Sequence, residues 1–243
     1  NIVKSVNRAG LEVMEIVLQP LASSEAVLTA EERELGVAMV DIGGGTTDVA
    51  IFVEGSIRHT AVLGIGGNHL TNDIAIGLRT PPADAEKIKI RYGCAMTSLV
   101  ENDEALEVPS VGGRPSRILS RRLLAEIIEP RAEEIFSLVA REIQKTGYEE
   151  RVASGVVITG GTSCLAGMVE MAEKMTNLPV RRGAPSNVGG LVDVVSSPIY
   201  ATGVGLVLHA QKNQDREEWR GTVKGGMFRK MVARMKSWVK ECF

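Results

Sequence analysis

The sequence predicts an α/β fold that ends in a separate amphipathic helix, and three observations carry that reading. Short apolar runs at 37–40 and 156–158 each stop at adjacent glycines, as buried strands do at a tight turn. Segments of helical periodicity flank and separate them, which is the alternation expected of mixed α/β architecture. Residues 227–243 combine an apolar stripe with Lys and Arg, behind a polar stretch ending in Gly225-Gly226.

Composition narrows the class. The chain has 243 residues, 44% hydrophobic, 24% charged and 4% aromatic, enough apolar material for a sizeable core and unlike a disordered or collagenous chain. The net charge of -2 is a cancellation: residues 220–243 hold seven Lys and Arg against Glu241, a net +6, leaving -8 on the remainder. Cys94, Cys164 and Cys242 are too widely spaced for a disulfide framework or a CxxC metal site, which suits a reducing compartment. No apolar run approaches the roughly 20 residues that span a bilayer. The first residues show no signal-peptide pattern, and the chain opens at Asn1, inside an amphipathic segment, which reads as a fragment.

Element by element, residues 2–14 suggest a helix ending at Gly10 with a strand after it, its apolar positions continuing from Leu11 to Leu18. Residues 20–34 form a helix that Pro20 starts and Gly36 closes. From Val37 the pattern becomes strand, glycine turn, strand, turn and a third strand through SIRHTAVLGIGG. Leu70, Ile74 and Leu78 share a face of a helix at 68–78, and a second helix runs from about Pro82 to Val100. Residues 104–119 read as a hairpin turning at Gly112-Gly113, and Ser120 to Tyr148 as a helical stretch that Pro130 splits. The strand at 155–161 leads directly into another helix, Pro198 starts a last apolar helix with Tyr200, Val204 and Leu208, and 211–226 is a linker.

The chemistry-bearing segment is Asp41-Ile42-Gly43-Gly44-Gly45-Thr46-Thr47-Asp48. Three glycines at a strand end let backbone amides converge on an anion, the threonine hydroxyls add donors, and two carboxylates suit a hydrated Mg²⁺ beside a triphosphate. It is not a GxxxxGK[ST] loop, because no lysine follows and a strand stands where that loop has a helix. Taken alone, a plain glycine-rich hairpin is the lesser alternative. Gly160-Gly161, followed by Thr162, ends a strand and permits close approach of a flat ligand such as adenine or ribose, or is simply a strand-to-helix turn. Gly66-Gly67, ahead of the helix at 68–78, is equally ambiguous.

Together, Asp41-x-Gly-Gly-Gly-Thr-Thr-Asp48, Gly66-Gly67 and Thr159-Gly160-Gly161-Thr162 resemble the ATPase domain shared by actin, sugar kinases and heat-shock chaperones. The runs LQPLASSEAVL, VDIGGGTTDVAIF, TNDIAIGLRTP, IKIRYGCA and SSPIYATGVGL are similar, more narrowly, to the FtsA family of bacterial cell-division proteins. The resemblance implies a partial actin-like (ribonuclease H-like) nucleotide-binding fold. It implies that Asp41 to Asp48 is the second phosphate loop and Thr159 to Thr162 the adenosine motif. It further implies that Gln19 orients the attacking water, that Asp41 holds Mg²⁺ through water, and that Glu86 and Lys89 contact ribose. Read without the family, Glu86 and Lys89 are a surface i,i+3 ion pair. Residues 1–36 would end subdomain 1A, 37–80 and 150–195 form 2A, 81–149 form 2B, and 196–210 return to 1A. The family's first phosphate loop lies upstream of the matching region, so the chain is expected to hold half of a nucleotide cleft.

In the tail, Phe228, Met231, Val232, Met235, Trp238 and Val239 form one helical stripe, with Arg229, Lys230, Arg234, Lys236 and Lys240 on its flanks and back. At 1.5 Å per residue the segment is about 25 Å long, too short and too charged to span. It suits a helix lying among anionic headgroups. A helix packed on the body is the plain alternative, disfavoured by the polar linker; nucleic acid is a rival that the acidic body does not support. Cys242 precedes a single Phe243 and is no CaaX box.

What the resemblance implies for function is an ATP- and Mg²⁺-binding, self-polymerising protein that tethers FtsZ and other division proteins to the cytoplasmic face of the inner membrane at the septum, with at most slow ATPase activity. The helix carrying Arg121, Arg122, Glu126 and Glu129 would receive the acidic C-terminal peptide of FtsZ, although the same residues also describe a solvated amphipathic helix. The alternative is a small-molecule phosphotransferase or chaperone-type ATPase of the same superfamily. His59, His69 and His209 show no ligand spacing.

Overall fold

A computed structural model describes residues 1–101, 104–186, 188–189 and 192–213. In chain order, α1 (Ile2–Arg8), α2 (Gln19–Val27) and α3 (Ala30–Leu35) precede the strands β1 (Val37–Ile42), β2 (Thr47–Val53) and β3 (Ser56–Leu63). Next come α4 (Gly67–Leu78), α5 (Pro82–Tyr92), the hairpin β4 (Ala105–Val108) and β5 (Arg117–Ser120), and the long helix α6 (Arg121–Lys145). Then follow β6 (Val156–Thr159), α7 (Met168–Thr176), β7 (Val180–Arg182), α8 (Val192–Val195) and a terminal helix α9 over 201–213.

Among the described residues one sheet has the order β3-β2-β1-β6-β7. The first three strands are an antiparallel meander, whereas β6 and β7 join in parallel, each reached through helices. Every residue of β1 and β2 is buried. Both faces of the sheet are therefore covered, and alternation along β1 shows by what. Ala38, Val40 and Ile42 belong to a core with α4, α5, α6 and α7, while Val37 and Met39 pack with Ala26 and Val27 of α2 and Ala201 of α9. The result is three layers with the sheet in the middle.

Helix α6 is the ridge of the larger core. Leu124, Ile128, Ile135, Phe136, Val139 and Ile143 recur at helical spacing and are 2% exposed or less. It runs unbroken through Pro130, against the expected split. Pro130 is exposed, so its missing N–H is lost on the solvent side, while the apolar residues before and after it hold one buried stripe. On its flank Arg131 forks onto Asp73 of α4, at 2.7 and 3.0 Å.

Other boundaries differ from the sequence reading for local reasons. The helix expected at 20–34 is two helices, because Thr29 caps α3 with its hydroxyl accepting from the Glu32 amide and Glu32 returning the bond. Residues 11–18 are not a strand: no strand pairs with them among the described residues, and Leu11, Met14, Ile16 and Leu18 are exposed. Helix α5 stops at Tyr92 rather than Val100, since Gly93 leaves the helix where a side chain would strike the Lys89 carbonyl and Leu165. A 3₁₀ turn, Gly161–Cys164, separates β6 from α7. The hairpin expected at 104–119 is present as β4 and β5. The linker expected at 211–226 starts later than that, because α9 continues through residue 213; the rest of it and the amphipathic segment 227–243 lie outside the described residues.

If Phe136 anchors the larger core, Phe136→Ala will lower unfolding free energy by about 3–5 kcal/mol in urea titrations. Ile76→Ala, at a position 78% exposed, will change it by less than about 0.5 kcal/mol; equal costs at both positions would refute this account of the core.

Candidate functional site

Strand β1 ends in Asp41 and Ile42, register pairs them with Asp48 and Thr47 of β2, and the Gly43 amide donates to the Thr46 carbonyl at 2.9 Å to close the turn. The turn then docks on the start of α4. The Gly43 carbonyl accepts from the Gly67 amide at 2.9 Å, and the Gly44 carbonyl from the Asn68 amide at 2.7 Å. The first amides of a helix have no partner inside it, and here the loop supplies them. Across a trans peptide the N–H points opposite to the C=O, so turning these carbonyls toward α4 directs the Gly44 and Gly45 amides away from it. Gly44, Gly45 and Thr46 are exposed. The arrangement is an open set of backbone donors of the kind that binds anions.

Close approach explains the paired glycines. A Cβ on Gly66 would lie 2.7 Å from the Gly43 carbonyl oxygen and 2.8 Å from that of Gly44. Gly160 has φ +83° and sits against Asp41, where a Cβ would be 2.4 Å from Oδ1. The Thr162 hydroxyl, one turn on, donates to the Gly43 carbonyl at 2.9 Å and closes on the loop from the other side. All three glycine motifs therefore meet at one point, with Gly161 beginning the 3₁₀ turn beside them.

The two aspartates differ. Asp41 is 3% exposed, and its Oδ2 accepts from Ser23 Oγ at 2.6 Å and Gln19 Nε2 at 3.5 Å, with Thr202 Oγ1 3.4 Å away. Asp48 accepts from Thr46 Oγ1 at 3.2 Å. Burial pushes the Asp48 carboxyl above its ordinary value, the Thr46 bond opposes this, and the charge of Asp41 adds to the rise. Thr47 is fully buried and its hydroxyl donates to the Ile65 carbonyl at 2.8 Å, so it holds the loop to the end of β3.

Glu86 and Lys89 lie beside this point rather than on a free surface. Lys89 is 8% exposed, and its Nζ donates to Gly67 O at 3.0 Å, Thr71 Oγ1 at 2.8 Å and Glu86 Oε2 at 2.7 Å. Burial raises the Glu86 carboxyl, but hydrogen bonds from Lys89 and Thr71 and the charge of Lys89 outweigh it and bring it below its ordinary value. The loop, Gly66, Gly67, Lys89, Glu86, Gly160 and Thr162 thus form one neighbourhood, joined to Gln19 through Asp41.

Arg121, Arg122, Glu126 and Glu129 stand apart from it on α6. Arg121 donates to the Tyr92 carbonyl at 2.8 Å and pairs with Glu104; hydrogen bonding from the Thr97 side chain, and then from the Thr97 amide at 3.1 Å, holds the Glu129 carboxyl below its ordinary value against partial burial. Arg122 and Glu126 form an exposed i,i+4 pair at 3.4 Å. The membrane-stripe residues from Phe228 to Lys240 lie outside the described residues.

Sequence reasoning missed Ser23, Thr71 and Thr202. The His69 ring accepts from the Gly66 amide at 3.1 Å through Nδ1, and Ser23 lies four residues after Gln19, on the same face of α2. That spacing was available in the sequence; the Thr202 contact, 161 residues from Asp41, was not.

Comparison with known proteins places this geometry. The family described as Cell division protein FtsA matches residues 38–205. The chain is 51% identical to cell division protein FtsA of Pseudomonas aeruginosa over 249 residues and 46% identical to that of Escherichia coli K12 over 254, in each case covering 100% of this chain and 60% of the relative. The chain thus spans 60% of the length of these relatives. Among solved structures, MreB5 of Spiroplasma citri bound to ADP aligns with TM-score 0.71 at 18% identity, covering 89% of this chain and 66% of that one. The MamK double helical filament aligns with TM-score 0.60 at 15% identity, covering 85% and 63%. At such identities the likeness is one of fold, and the fold is actin-like. With the family match running through β1, the glycine motifs and the start of α9, the chain belongs to the FtsA family of cell division proteins.

Proposed function

We propose that the loop Gly43–Thr46, Gly66-Gly67 and Gly160–Thr162 form one wall of an ATP·Mg²⁺ cleft in an actin-like protein that assembles into filaments and anchors the FtsZ ring at the inner face of the cytoplasmic membrane. The observation that carries this reading is the docking of the Gly43 and Gly44 carbonyls on α4, which leaves exposed backbone amides next to a buried carboxylate. The full activity and its partners belong to a protein of which this chain matches 60%.

The donor set fits magnesium. Asp41 and Asp48 face each other across β1 and β2, Asp48 is destabilised by burial and by Asp41, and neither pairs with a cationic side chain among the described residues. No group of three His, Cys, Asp or Glu converges among the described residues, so a cation here would be carried largely by water and phosphate oxygens, as Mg²⁺ prefers. When bound, Mg²⁺ supplies charge neutralisation for the phosphates. The amides of Gly44 and Gly45 orient the phosphate, while the Thr46 hydroxyl is spent on Asp48 at 3.2 Å. Asp41 would accept hydrogen bonds from water on such a cation, and Gln19, whose Nε2 lies 3.5 Å from Asp41, would orient an attacking water. Glu86, fixed by Lys89 and Thr71, offers a ribose hydroxyl an acceptor.

The subdomain division follows the family: 37–80 with 150–195 as 2A, 81–149 as 2B, flanked by parts of 1A. Arg122 and Glu126 are the exposed members of the face assigned to the acidic FtsZ peptide, with Arg121 and Glu129 shaping it from beneath. Residues 227–243 are the membrane contact. No helix among the described residues is long and apolar enough to cross a membrane. A small-molecule phosphotransferase would use the same wall but gives the basic apolar tail no task.

Gly45 has open space where a Cβ would go. Gly45→Val keeps its amide and will leave unfolding free energy within about 0.5 kcal/mol of the parent, while its branched side chain, standing in the open side of the loop, keeps phosphate from the Gly44 and Gly45 amides and weakens MgATP binding at least about tenfold by calorimetry. Unchanged affinity would remove the loop from the site.

The raised Asp48 carboxyl sets a pH test. A carboxyl that binds its proton more tightly folded than unfolded costs stability above its raised value, and the cost fades as pH falls toward the ordinary carboxylate range. Asp48→Asn will raise the melting temperature at pH 7, with the gain shrinking in acid; a gain independent of pH would contradict the account.

Deletion of 227–243, or Trp238→Glu, will release the protein from vesicles containing anionic lipid in co-sedimentation. Retention equal to that of the intact chain would refute the tether.

A further inference from the structure

The carboxylate of Asp41 is held unevenly. Its Oδ2 accepts from Ser23 and Gln19 and has Thr202 Oγ1 3.4 Å away, while Oδ1 lies against the backbone of Gly160. The shortest contact is Ser23 Oγ at 2.6 Å, from a side chain with no exposed surface. Ser23 Oγ also lies 3.0 Å from Thr202 Oγ1. A serine hydroxyl has one proton. Since that proton is committed to the carboxylate at the shorter distance, Thr202 spends its own single proton on Ser23 Oγ at 3.0 Å rather than on Asp41 Oδ2 at 3.4 Å. The order is therefore Thr202 to Ser23 to Asp41, a chain in which each hydroxyl polarises the next.

These residues come from three separate elements: Ser23 from α2, Asp41 from β1 and Thr202 from the first turn of α9. Simply satisfying a buried carboxylate would not call for a relay across two helices on the far side of the sheet. Its effect is directional. With Oδ2 held by Ser23 and Gln19, and Oδ1 against Gly160, the carboxylate is braced against turning, and with it the direction it offers a cation's water shell. Without Ser23, only the contacts at 3.4 and 3.5 Å remain, both near the limit of a hydrogen bond.

We propose that Ser23 and Thr202 are positioning residues for the nucleotide site: through a hydroxyl relay they set the orientation of Asp41 toward the hydrated Mg²⁺ of a bound nucleoside triphosphate. This rests on the nucleotide reading given above. Neither residue touches nucleotide; both act through Asp41. Because Thr202 opens α9, the relay also ties the metal-side carboxylate to the helix that leads toward the tail.

The test uses the natural gene product that contains this chain, a fluorescent ATP analogue, and titration with Mg²⁺. Two quantities are read: nucleotide affinity in EDTA, and the Mg²⁺ concentration giving half of the metal-dependent gain in affinity. Ser23→Ala and Thr202→Val will each raise the Mg²⁺ midpoint, Ser23→Ala by about tenfold, with affinity in EDTA within about twofold of the parent, because a charge-assisted bond is lost only from the metal's acceptor. Thr202→Ser keeps the hydroxyl and will restore the parental midpoint. Thr202 is half-buried at a helix start, so its variants serve even if Ser23→Ala fails to fold. Parental midpoints in Ser23→Ala or Thr202→Val overturn the proposal, as does a Thr202→Ser midpoint as high as that of Thr202→Val. A parent that binds nucleotide with no response to Mg²⁺ is the distinct failure of the underlying reading, and the relay falls with it.

Discussion

Two hydrogen bonds, from the Gly67 and Asn68 amides to the Gly43 and Gly44 carbonyls, determine how this site is built. A helix start needs acceptors for its first amides, and a glycine turn needs something to hold its carbonyls on one side. Each meets the other's need, and the amides left over face outward. The glycine pairs follow from this contact. Gly66 must lack a side chain for the carbonyls to come close, and Gly67 must lack one because Thr162 Oγ1 would be 2.4 Å away. Lys89 reinforces the same corner by donating to the Gly67 carbonyl from below.

The rest of the molecule keeps that contact in register. Strands β1 and β2 fix the height of the loop, and β6 in parallel with β1 brings Thr159 level with Asp41 so that Gly160 and Thr162 arrive beside it. Helix α4 is held from behind by Leu70, Ile74 and Leu78 in the larger core and from the side by the Asp73–Arg131 fork to α6. On the opposite face of the sheet, α2 and α9 bring Ser23 and Thr202 to the same carboxylate. The site therefore draws on both cores, and the sheet lies between the helices that hold the loop and those that hold Asp41.

Much of this was legible in the residues. The glycine runs, the apolar strand before each of them and the Leu70, Ile74, Leu78 face are short-range patterns with direct physical causes. Errors fell where a local signal met a stronger tertiary one. Pro130 reads as a break, but a continuous buried stripe from Leu124 to Ile143 carries α6 through it. Thr29 inside an apparent helix is a cap, recognisable by Glu32 three residues later. Strand β7 is three residues with two arginines, too short to announce itself, and is made a strand by pairing with β6. Lys89 looks like a surface cation at i+3 from Glu86; only the packing of α5 under α4 buries it. Thr202 and Asp41 are far apart in sequence, and no periodicity links them.

The central claim is that the docked loop presents its amides to a polyphosphate, and amide hydrogen exchange reads it most directly. With MgATP present, exchange at Gly44, Gly45 and Thr46 should slow markedly, while Gly43, already bonded to the Thr46 carbonyl, changes little. Exchange at Gly44 and Gly45 that is unaltered by saturating MgATP would contradict the account.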